Sequence, residues 1–236
     1  MKDSGLITGI GIYDTFSALV LEDAGADLLF LGGFGATASL LGLPDLSLIS
    51  LDEMTATIRR ITNVIKTPLI ADGDTGFGGL PNVMRTVQEY EAAGAAGILL
   101  EDQVFPKRCG HFQEKSVISA EEMIQKLKIA VNARQNPDFL IIARTDALAV
   151  ESFAEVIKRV NLYSSTGIDL VFVEALETQE QIEQLPKQVT IPLMINMLWG
   201  GRTPILSANE LQNLGYKLMA IPIASLLAVG GALRRL

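Results

Sequence analysis

Acidic side chains follow short apolar segments at several places along this 236-residue chain. Asp72 and Asp74 come after one such segment, Glu101 and Asp102 after the next, and Glu174 after a later one. If these segments are neighbouring strands, the acids at their ends converge and repel one another unless a cation or protons intervene. Mg²⁺ prefers oxygen ligands, keeps several waters and is often held by one or two carboxylates. The acids therefore predict a Mg²⁺ site, in which Mn²⁺ is the natural substitute.

Other interpretations of these acids remain open for some of them. Zinc is disfavoured, because only one His and one Cys are available as softer ligands. An acid at a strand–helix turn can simply cap the helix, and this explanation stays open for Asp14, Asp102 and Asp146 taken singly. Asp72 and Asp74 stand two residues apart, and positions i and i+2 project on the same side of an extended chain. We therefore expect this pair to act together.

A cation and one polar segment complete the set of chemically capable residues. Arg144 ends the apolar run Ile-Ile-Ala-Arg, where its guanidinium can hold a carboxylate or neutralise the acids. The segment 103–116 contains Cys109 and His111, the single Cys and single His of the chain. A lone Cys is usually a small buried side chain and a lone His a structural hydrogen-bonding group. A loop carrying one reactive group can nevertheless close over a site and exclude water, which makes 103–116 a candidate catalytic loop.

Eight short apolar segments alternate with helical patterns along the chain. They are rich in Leu, Ile and Val and lack strict alternation, which is typical of strands buried on both faces. Eight strand–helix units predict a single (β/α)₈ TIM barrel over residues 1–236, with its site at the carboxyl ends of the strands. An open doubly wound sheet is the alternative, which the even spacing of the units disfavours. The predicted strands are 7–13, 27–32, 68–72, 97–100, 139–143, 169–174, 191–196 and 217–223.

The segments between these strands carry signals for helix ends. Three Ser–Glu pairs, spaced three residues apart, fit capping boxes in which side chain and backbone satisfy each other's donors. Three glycines stand where helices should end, because glycine tolerates the left-handed turn there. The pairs are Ser50 with Glu53, Ser119 with Glu122 and Ser207 with Glu210, and the glycines are Gly25, Gly94 and Gly215.

Composition limits the class of protein. Hydrophobic residues make up 49% of the chain and charged residues 19%, enough to bury a core and to disfavour disorder. A net charge of −8 with scattered Lys and Arg disfavours nucleic acids and anionic membranes as partners. One cysteine excludes an intramolecular disulfide. Neither a signal-peptide pattern nor an apolar run of about 18 residues is present. We expect a cytoplasmic protein that acts on a small molecule.

Several segments together carry a family resemblance. They are 30–33, 43–45, 71–78 (Ala-Asp-Gly-Asp-Thr-Gly-Phe-Gly), 101–103, 107–111 (Lys-Arg-Cys-Gly-His), 143–146 and Asn196. With them the chain resembles the isocitrate lyase / phosphoenolpyruvate mutase superfamily, most closely its 2-methylisocitrate lyase and 2,3-dimethylmalate lyase branch. The resemblance extends over nearly the whole chain. It implies a TIM barrel and a Mg²⁺-dependent enzyme assembled as a homotetramer, a dimer of dimers.

The resemblance also implies roles for individual residues. Asp74 would ligate Mg²⁺ directly, while Asp72 and Glu101 would hold it through waters. The substrate would contact Tyr13, Gly32, Gly33, Asp45, Gly110, Arg144 and Asn196. The catalytic residues would be Cys109, His111, Arg144 and Glu174. The implied reaction cleaves a carbon–carbon bond in a small 2-hydroxy di- or tricarboxylic acid, giving a 2-oxo acid (pyruvate or glyoxylate) and a carboxylate. The thiol of Cys109 would protonate the departing carbanion.

Two departures from the family pattern keep other functions open. Relatives often have Asn-Met-Val-Glu-Gly-Gly where this chain has Asn-Met-Leu-Trp-Gly-Gly, so Trp199 replaces an acid. The chain also ends soon after its predicted eighth helix, where relatives usually continue. The alternatives are phosphonomutase, phosphonopyruvate hydrolase or carboxyphosphonoenolpyruvate mutase activity, oxaloacetate decarboxylation, and a non-catalytic binding paralogue. The intact pair Cys109-Gly110 favours the lyase over phosphoenolpyruvate isomerisation. The retained acids and Arg144 disfavour a non-catalytic role.

Overall fold

A computed structural model describes residues 5–107 and 115–236. Eight parallel strands pair in chain order and close into a barrel, because β1 also pairs with β8. The predicted (β/α)₈ TIM barrel is therefore confirmed. The strands are β1 Ile7–Ile12, β2 Leu28–Leu31, β3 Leu69–Asp72, β4 Gly97–Glu101, β5 Leu140–Thr145, β6 Leu170–Val173, β7 Leu193–Asn196 and β8 Leu218–Ile221. The helices are α1 Thr15–Asp23, α2 Gly33–Leu41, α3 Leu51–Thr62, α4 Leu80–Ala92, α5 Ala120–Ala133, α6 Phe153–Ser164, α7 Gln179–Gln188, α8 Ala208–Leu214 and α9 Ala224–Leu233.

The apolar residues form two layers, one on each face of the barrel wall. The larger layer lies between the strands and the surrounding helices. The smaller layer fills the interior of the barrel and contains Phe30, Ile70, Leu99, Ile142 and Phe172, among others. Strands buried on both faces have no polar face to alternate with, which explains why the sequence pattern is continuous rather than alternating. Within the described ranges, no helix combines the length and the apolar character needed to cross a membrane.

The interior layer fixes which side chains face the mouth of the barrel. Successive strand residues point to opposite faces, so the residue two positions after an interior residue also points inward. Moving two residues on from interior Ile70, Leu99, Ile142, Phe172 and Met194 gives Asp72, Glu101, Arg144, Glu174 and Asn196. Five of the predicted site residues therefore stand one step above the apolar floor of the barrel.

Strands β4 and β5 extend one and two residues beyond the predicted ends. Glu101 and Arg144 are partners in the register between these strands, so both belong to the ladder and not to the loops. At the other side of the barrel, a Cβ on Gly11 would stand 1.7 Å from the carbonyl oxygen of Pro222. Glycine is therefore required where β1 approaches the segment that leads into α9.

The predicted helix ends agree with the structure. Ser50, Ser119 and Ser207 each form a capping box with the Glu three residues later. The three glycines predicted to end helices all have positive φ angles, between 84° and 100°. Asp14 is also a helix cap, because its carboxylate accepts a 2.7 Å hydrogen bond from Ser17 N.

Candidate active site

A cavity of about 270 Å³ opens at the carboxyl ends of the strands. Its lining combines polar and apolar groups. The polar lining residues are Asp45, Asp72, Arg144, Glu174 and Asn196, with the backbone of Gly32 and Gly33. The apolar lining residues are Phe30, Phe34, Leu99, Phe172, Leu198, Trp199, Pro222 and Ile223. A ligand that fits this cavity is a small molecule with both anionic or polar and apolar groups.

Hydrogen bonds link the three acids that the sequence predicts as metal ligands. Asp72 Oδ1 accepts a 3.0 Å hydrogen bond from Asp74 N, and Asp74 O accepts one of 2.9 Å from Glu101 N. Asp74 has φ 47°, a left-handed backbone that is uncommon for residues other than glycine. Strand alternation was therefore the wrong reason to pair Asp72 with Asp74. A left-handed turn after β3 brings Asp74 into the cluster, and such strain is commonly kept at functional sites.

A buried lysine stands among these acids. Lys107 Nζ lies 2.7 Å from Asp45 Oδ2 and 2.9 Å from Asp74 Oδ1, and its side chain is 2% exposed. Burial alone would lower the pKa of Lys107, but Asp74, Asp72 and neighbouring carboxylates raise it well above its usual value. The lysine is therefore charged and supplies part of the positive charge that the sequence analysis assigned to a metal.

The acidic side chains of this cluster are partly suited to bind a hard divalent cation. Both carboxylate oxygens of Glu101 are buried without a hydrogen-bond partner in the described structure, and its nearest cation is Arg144 Nε at 3.3 Å. Burial raises the pKa of Glu101 well above its usual value against the opposing effect of Arg144, so an ionised Glu101 calls for a further donor or cation. In the described ranges, however, no three His, Cys, Asp or Glu side chains are grouped as direct metal ligands. This arrangement suits an ion with one carboxylate bound directly and others bound through waters.

Metal binding at Asp74 is expected to depend on pH. Burial, with a smaller contribution from Asp72, raises the pKa of Asp74 to about 7 against the opposing effect of the Lys107 ammonium. A proton and a metal compete for the same carboxylate, so the apparent dissociation constant for Mn²⁺ should rise about tenfold per pH unit below about 7. Titration calorimetry with Mn²⁺ between pH 5.5 and 8 measures this dependence. Constant affinity across that range would contradict a role for Asp74 as ligand.

Arg144 connects the acids on three elements. Its Nε lies 2.7 Å from Asp146 Oδ2 and 3.3 Å from Glu101 Oε2, and one terminal nitrogen lies 3.1 Å from Glu174 Oε2. The guanidinium also lies 5.8 Å from the centre of the Phe172 ring. These contacts fix its plane at the cavity wall, where it can present N–H groups to a carboxylate.

Replacing Arg144 by lysine should lower kcat/KM by about 10²-fold, or about 2.7 kcal/mol. Lysine keeps the charge but offers a point ammonium, which cannot serve Asp146, Glu174 and a substrate carboxylate with fixed planar geometry. Steady-state kinetics measure the loss. Arg85→Lys is the matched control, because the Arg85 side chain is 58% exposed and pairs with surface acids. A wild-type kcat/KM for Arg144→Lys would show that the guanidinium geometry is dispensable.

A second buried network lies behind Arg144. Asp146 accepts a hydrogen bond from Lys115 Nζ at 2.7 Å in addition to its pair with Arg144. Asp102 accepts from Asp146 N at 2.9 Å and from the Tyr163 hydroxyl at 2.7 Å. The helix-cap explanation is therefore wrong for Asp102 and Asp146, since both carboxylates are used in tertiary contacts. Asp102 points outward from β4, away from Glu101. It binds the backbone of Asp146, the partner of Arg144, and does not belong to the proposed metal acids.

The remaining predicted residues fall into three groups. Gly32, Gly33, Asp45 and Asn196 line the cavity, and the Asn196 Oδ1 atom is buried without a partner in the described structure. Tyr13 is not among the residues that line this cavity, and its backbone N–H donates to Ser17. Cys109, Gly110 and His111 lie outside the described residues.

Several residues of the site gave no clear signal in the sequence. Lys107 stands in the Lys-Arg-Cys-Gly-His segment of the family resemblance, but nothing in its neighbourhood indicated burial against Asp45. Lys115 and the apolar lining residues Phe34, Pro222 and Ile223 also gave no signal. Phe172 was a partial exception, because it lies two residues before Glu174 on a predicted strand.

Known proteins are similar in sequence to this chain over nearly its full length. Residues 2–236 match the phosphoenolpyruvate phosphomutase family. The 2,3-dimethylmalate lyase of Eubacterium barkeri is 43% identical over 221 residues, covering 94% of this chain and 76% of that protein. The 2-methylisocitrate lyase of Aeropyrum pernix is 43% identical over 220 residues, covering 93% of this chain and 70% of that protein.

Solved structures of related enzymes have the same fold as this chain. A crystal structure of 2,3-dimethylmalate lyase superposes with a TM-score of 0.95 at 36% identity, covering 99% of this chain and 79% of that one. A phosphonopyruvate hydrolase complexed with oxalate and Mg²⁺ superposes with a TM-score of 0.88 at 30% identity, covering 98% and 80%. The two relatives that share 43% of the aligned residues are named lyases. With its barrel and its acids at the strand ends, the chain belongs to the phosphoenolpyruvate mutase / isocitrate lyase superfamily.

Proposed function

We propose that this protein is a Mg²⁺-dependent carbon–carbon lyase. Its substrate would be a small 2-hydroxy di- or tricarboxylic acid of the dimethylmalate or methylisocitrate kind, and its products a 2-oxo acid and a carboxylate. The observation that carries the proposal is the hydrogen-bonded cluster of Asp72, Asp74 and Glu101 beside Arg144, from which Asp72 and Arg144 line the cavity. The similarity to two named lyases supports the reaction class. The oxalate and Mg²⁺ of the related hydrolase support the cofactor.

The cavity contains groups suited to both the polar and the alkyl parts of such a substrate. Arg144 would hold a carboxylate. The N–H of Gly33, at the start of α2, donates a 3.1 Å hydrogen bond to Asp72 Oδ2, so the helix dipole stabilises this acid of the cluster. When bound, Mg²⁺ would supply positive charge for the oxygens of the 2-hydroxy acid. Leu198 and Trp199 would contact the alkyl part.

The proposed cleavage balances with groups that this chain contains. The substrate hydroxyl loses its proton to a base, and the adjacent carbon–carbon bond breaks as the C–O bond becomes a carbonyl. The electron pair stays on the leaving carbon, which takes a proton from the thiol of Cys109. Glu174 is a buried acid of the pocket that lies beside the Arg144 guanidinium and is separate from the three proposed metal acids. We assign it to proton handling at the hydroxyl.

A substrate screen tests this function. Purified protein with Mg²⁺ is offered 2,3-dimethylmalate, citramalate, 2-methylisocitrate, oxaloacetate and phosphonopyruvate, and pyruvate, glyoxylate, oxalate and phosphate are measured. Release of pyruvate or glyoxylate from a 2-hydroxy acid, abolished by a chelator, supports the lyase. Phosphate release from phosphonopyruvate, or pyruvate release from oxaloacetate, without 2-hydroxy acid cleavage would replace the lyase by phosphonate hydrolysis or oxaloacetate decarboxylation. Binding of every acid without turnover would indicate a non-catalytic protein.

We also propose that the protein assembles through its last helix. The α9 residues Leu227, Val229 and Leu233 are 52%, 42% and 62% exposed, and Phe16 on α1 is 72% exposed. Exposed apolar area of this kind marks a contact surface. Light scattering at micromolar concentration should therefore give a mass above that of one chain, with a tetramer as the expected state. Leu227→Glu together with Leu233→Glu should reduce that mass, whereas Val104→Glu, at an exposed apolar position after β4, should not. A monomer in the wild type would refute the assembly.

A further inference from the structure

Lys107 places its ammonium where the acids of the site converge. Nζ is 2.9 Å from Asp74 Oδ1 and 2.7 Å from Asp45 Oδ2. A Cβ built on Gly33 would lie 3.2 Å from each of Lys107 Nζ, Asp72 Oδ2 and Asp74 Oδ1, so these atoms surround a single point. The Lys107 side chain is almost completely buried. The ammonium is therefore a part of the acid cluster and not a surface charge near it.

A divalent cation at Asp74 would compete with this ammonium. Lys107 Nζ contacts Asp74 Oδ1, and a metal bound directly by this carboxylate would lie close to the ammonium. Two cations on one largely buried carboxylate repel each other strongly, because solvent screening is weak there. Direct metal binding by Asp74 would therefore weaken its contact with Lys107 and favour displacement of the ammonium toward Asp45.

Asp45 gives the ammonium a second partner during this exchange. The contact with Asp45 is the shorter of the two, and Asp45 follows β2 while Asp74 follows β3. The backbone N–H of Lys107 also donates a 3.1 Å hydrogen bond to Ser47 Oγ, which holds the base of the side chain next to Asp45. Lys107 can therefore release Asp74 and still keep a charged hydrogen bond.

We propose that Lys107 is an internal counter-ion that shares Asp74 with the divalent cation, and that Asp45 retains the ammonium when the metal binds. The inference rests on the metal site of the proposed function. It makes Lys107 and Asp45 positioning residues that set metal affinity. Asp45, which the family resemblance implied as a substrate contact, would thereby act through the lysine.

Direct measurement of Mn²⁺ binding tests the exchange without relying on turnover. Free Mn²⁺ is measured by electron paramagnetic resonance with wild type, Lys107→Met, Asp45→Asn and the double variant, in the absence of substrate. Lys107→Met should bind Mn²⁺ about tenfold more tightly, because the competitor is gone. Asp45→Asn should bind it roughly threefold more weakly, because the lysine then depends on Asp74 alone. In the Lys107→Met background, Asp45→Asn should change the affinity by less than about twofold.

Lys115→Met is the matched control. Lys115 is equally buried and also lies 2.7 Å from a carboxylate, but that carboxylate is Asp146. The Lys115→Met variant loses the same charge, so a gain in Mn²⁺ affinity equal to that of Lys107→Met would overturn the proposal in favour of a general charge effect. Unchanged or weaker Mn²⁺ binding by Lys107→Met would overturn the counter-ion role of Lys107 and leave the proposed metal site intact. If that variant does not fold, unchanged or tighter binding by Asp45→Asn overturns that role. Absence of Mn²⁺ binding by wild type would overturn both this inference and the proposed function.

Discussion

Replacing Asp74 by alanine is expected to lower Mg²⁺-dependent turnover by about 10⁴-fold or more. A bound metal contributes several kcal/mol to the stabilisation of developing negative charge, and about 5.4 kcal/mol corresponds to a factor of 10⁴. Asp74 is the acid that we propose as direct ligand, and its backbone is held by Asp72 and Glu101. Steady-state turnover at saturating Mg²⁺, together with Mn²⁺ binding, measures the loss.

The choice of variant separates the metal role from the backbone role of Asp74. Alanine is strained at φ 47°, whereas asparagine tolerates a left-handed backbone and removes only the charge. Asp74→Asn should therefore melt close to wild type and still lose most of its activity. Asp52→Asn is the control, because the Asp52 side chain is 84% exposed at a neighbouring cavity. Wild-type turnover by Asp74→Asn, or by the wild-type enzyme in a chelator, would refute the metal site.

Replacing Cys109 by serine is expected to lower kcat by about 10²–10⁴-fold, with a smaller change in KM. General acid catalysis contributes a factor of this size, and a serine hydroxyl is a far weaker acid than a thiol with a pKa near ~8.5. The proton is transferred as the carbon–carbon bond breaks, so the loss should fall on the transition state rather than on substrate binding. Pre-steady-state and steady-state kinetics on the substrate identified by the screen measure both constants.

Two comparisons make the Cys109 result decisive for reaction class. Mn²⁺ affinity should be unchanged in Cys109→Ser, because Cys109 is not a proposed ligand. Ser116→Ala, an exposed position at the end of the same polar segment, should change kcat by less than about twofold. If Cys109→Ser is nearly silent while Lys107 or Arg108 variants lose activity, the segment acts through charge alone. That outcome would remove the proton-donor role and favour phosphonate chemistry.

The barrel follows from local features of the sequence. Short continuous apolar runs, capping boxes at Ser50, Ser119 and Ser207, and glycines at helix ends each depend on residues within one turn or one strand. Such signals are readable because hydrogen bonds and steric limits act over a few residues. Repetition of the unit eight times then leaves few ways to bury both faces of the strands, and a closed parallel sheet is the most regular of them.

The sequence also indicated the polar mouth of the barrel, because strand ends of a parallel barrel converge. The strand pattern alone could not decide which of two adjacent acids faces that mouth, although the family resemblance implied Glu101. In the structure Glu101 continues the interior row of Leu99, while Asp102 points outward to Tyr163. The register of β4 against β5 settles this, since it places Glu101 beside Arg144. A shift of one residue would exchange the two roles.

Only the tertiary structure decided how the charges pair. Lys107 meets Asp45 across 62 residues of sequence, and Lys115 meets Asp146 across 31. Asp74 enters the cluster through a left-handed turn rather than through strand alternation. Buried charges select partners by distance and by the loss of water around them, and both are set by the packing of distant segments. Residue types and spacing therefore determined the barrel and its acidic mouth, while long-range packing determined which charge neutralises which.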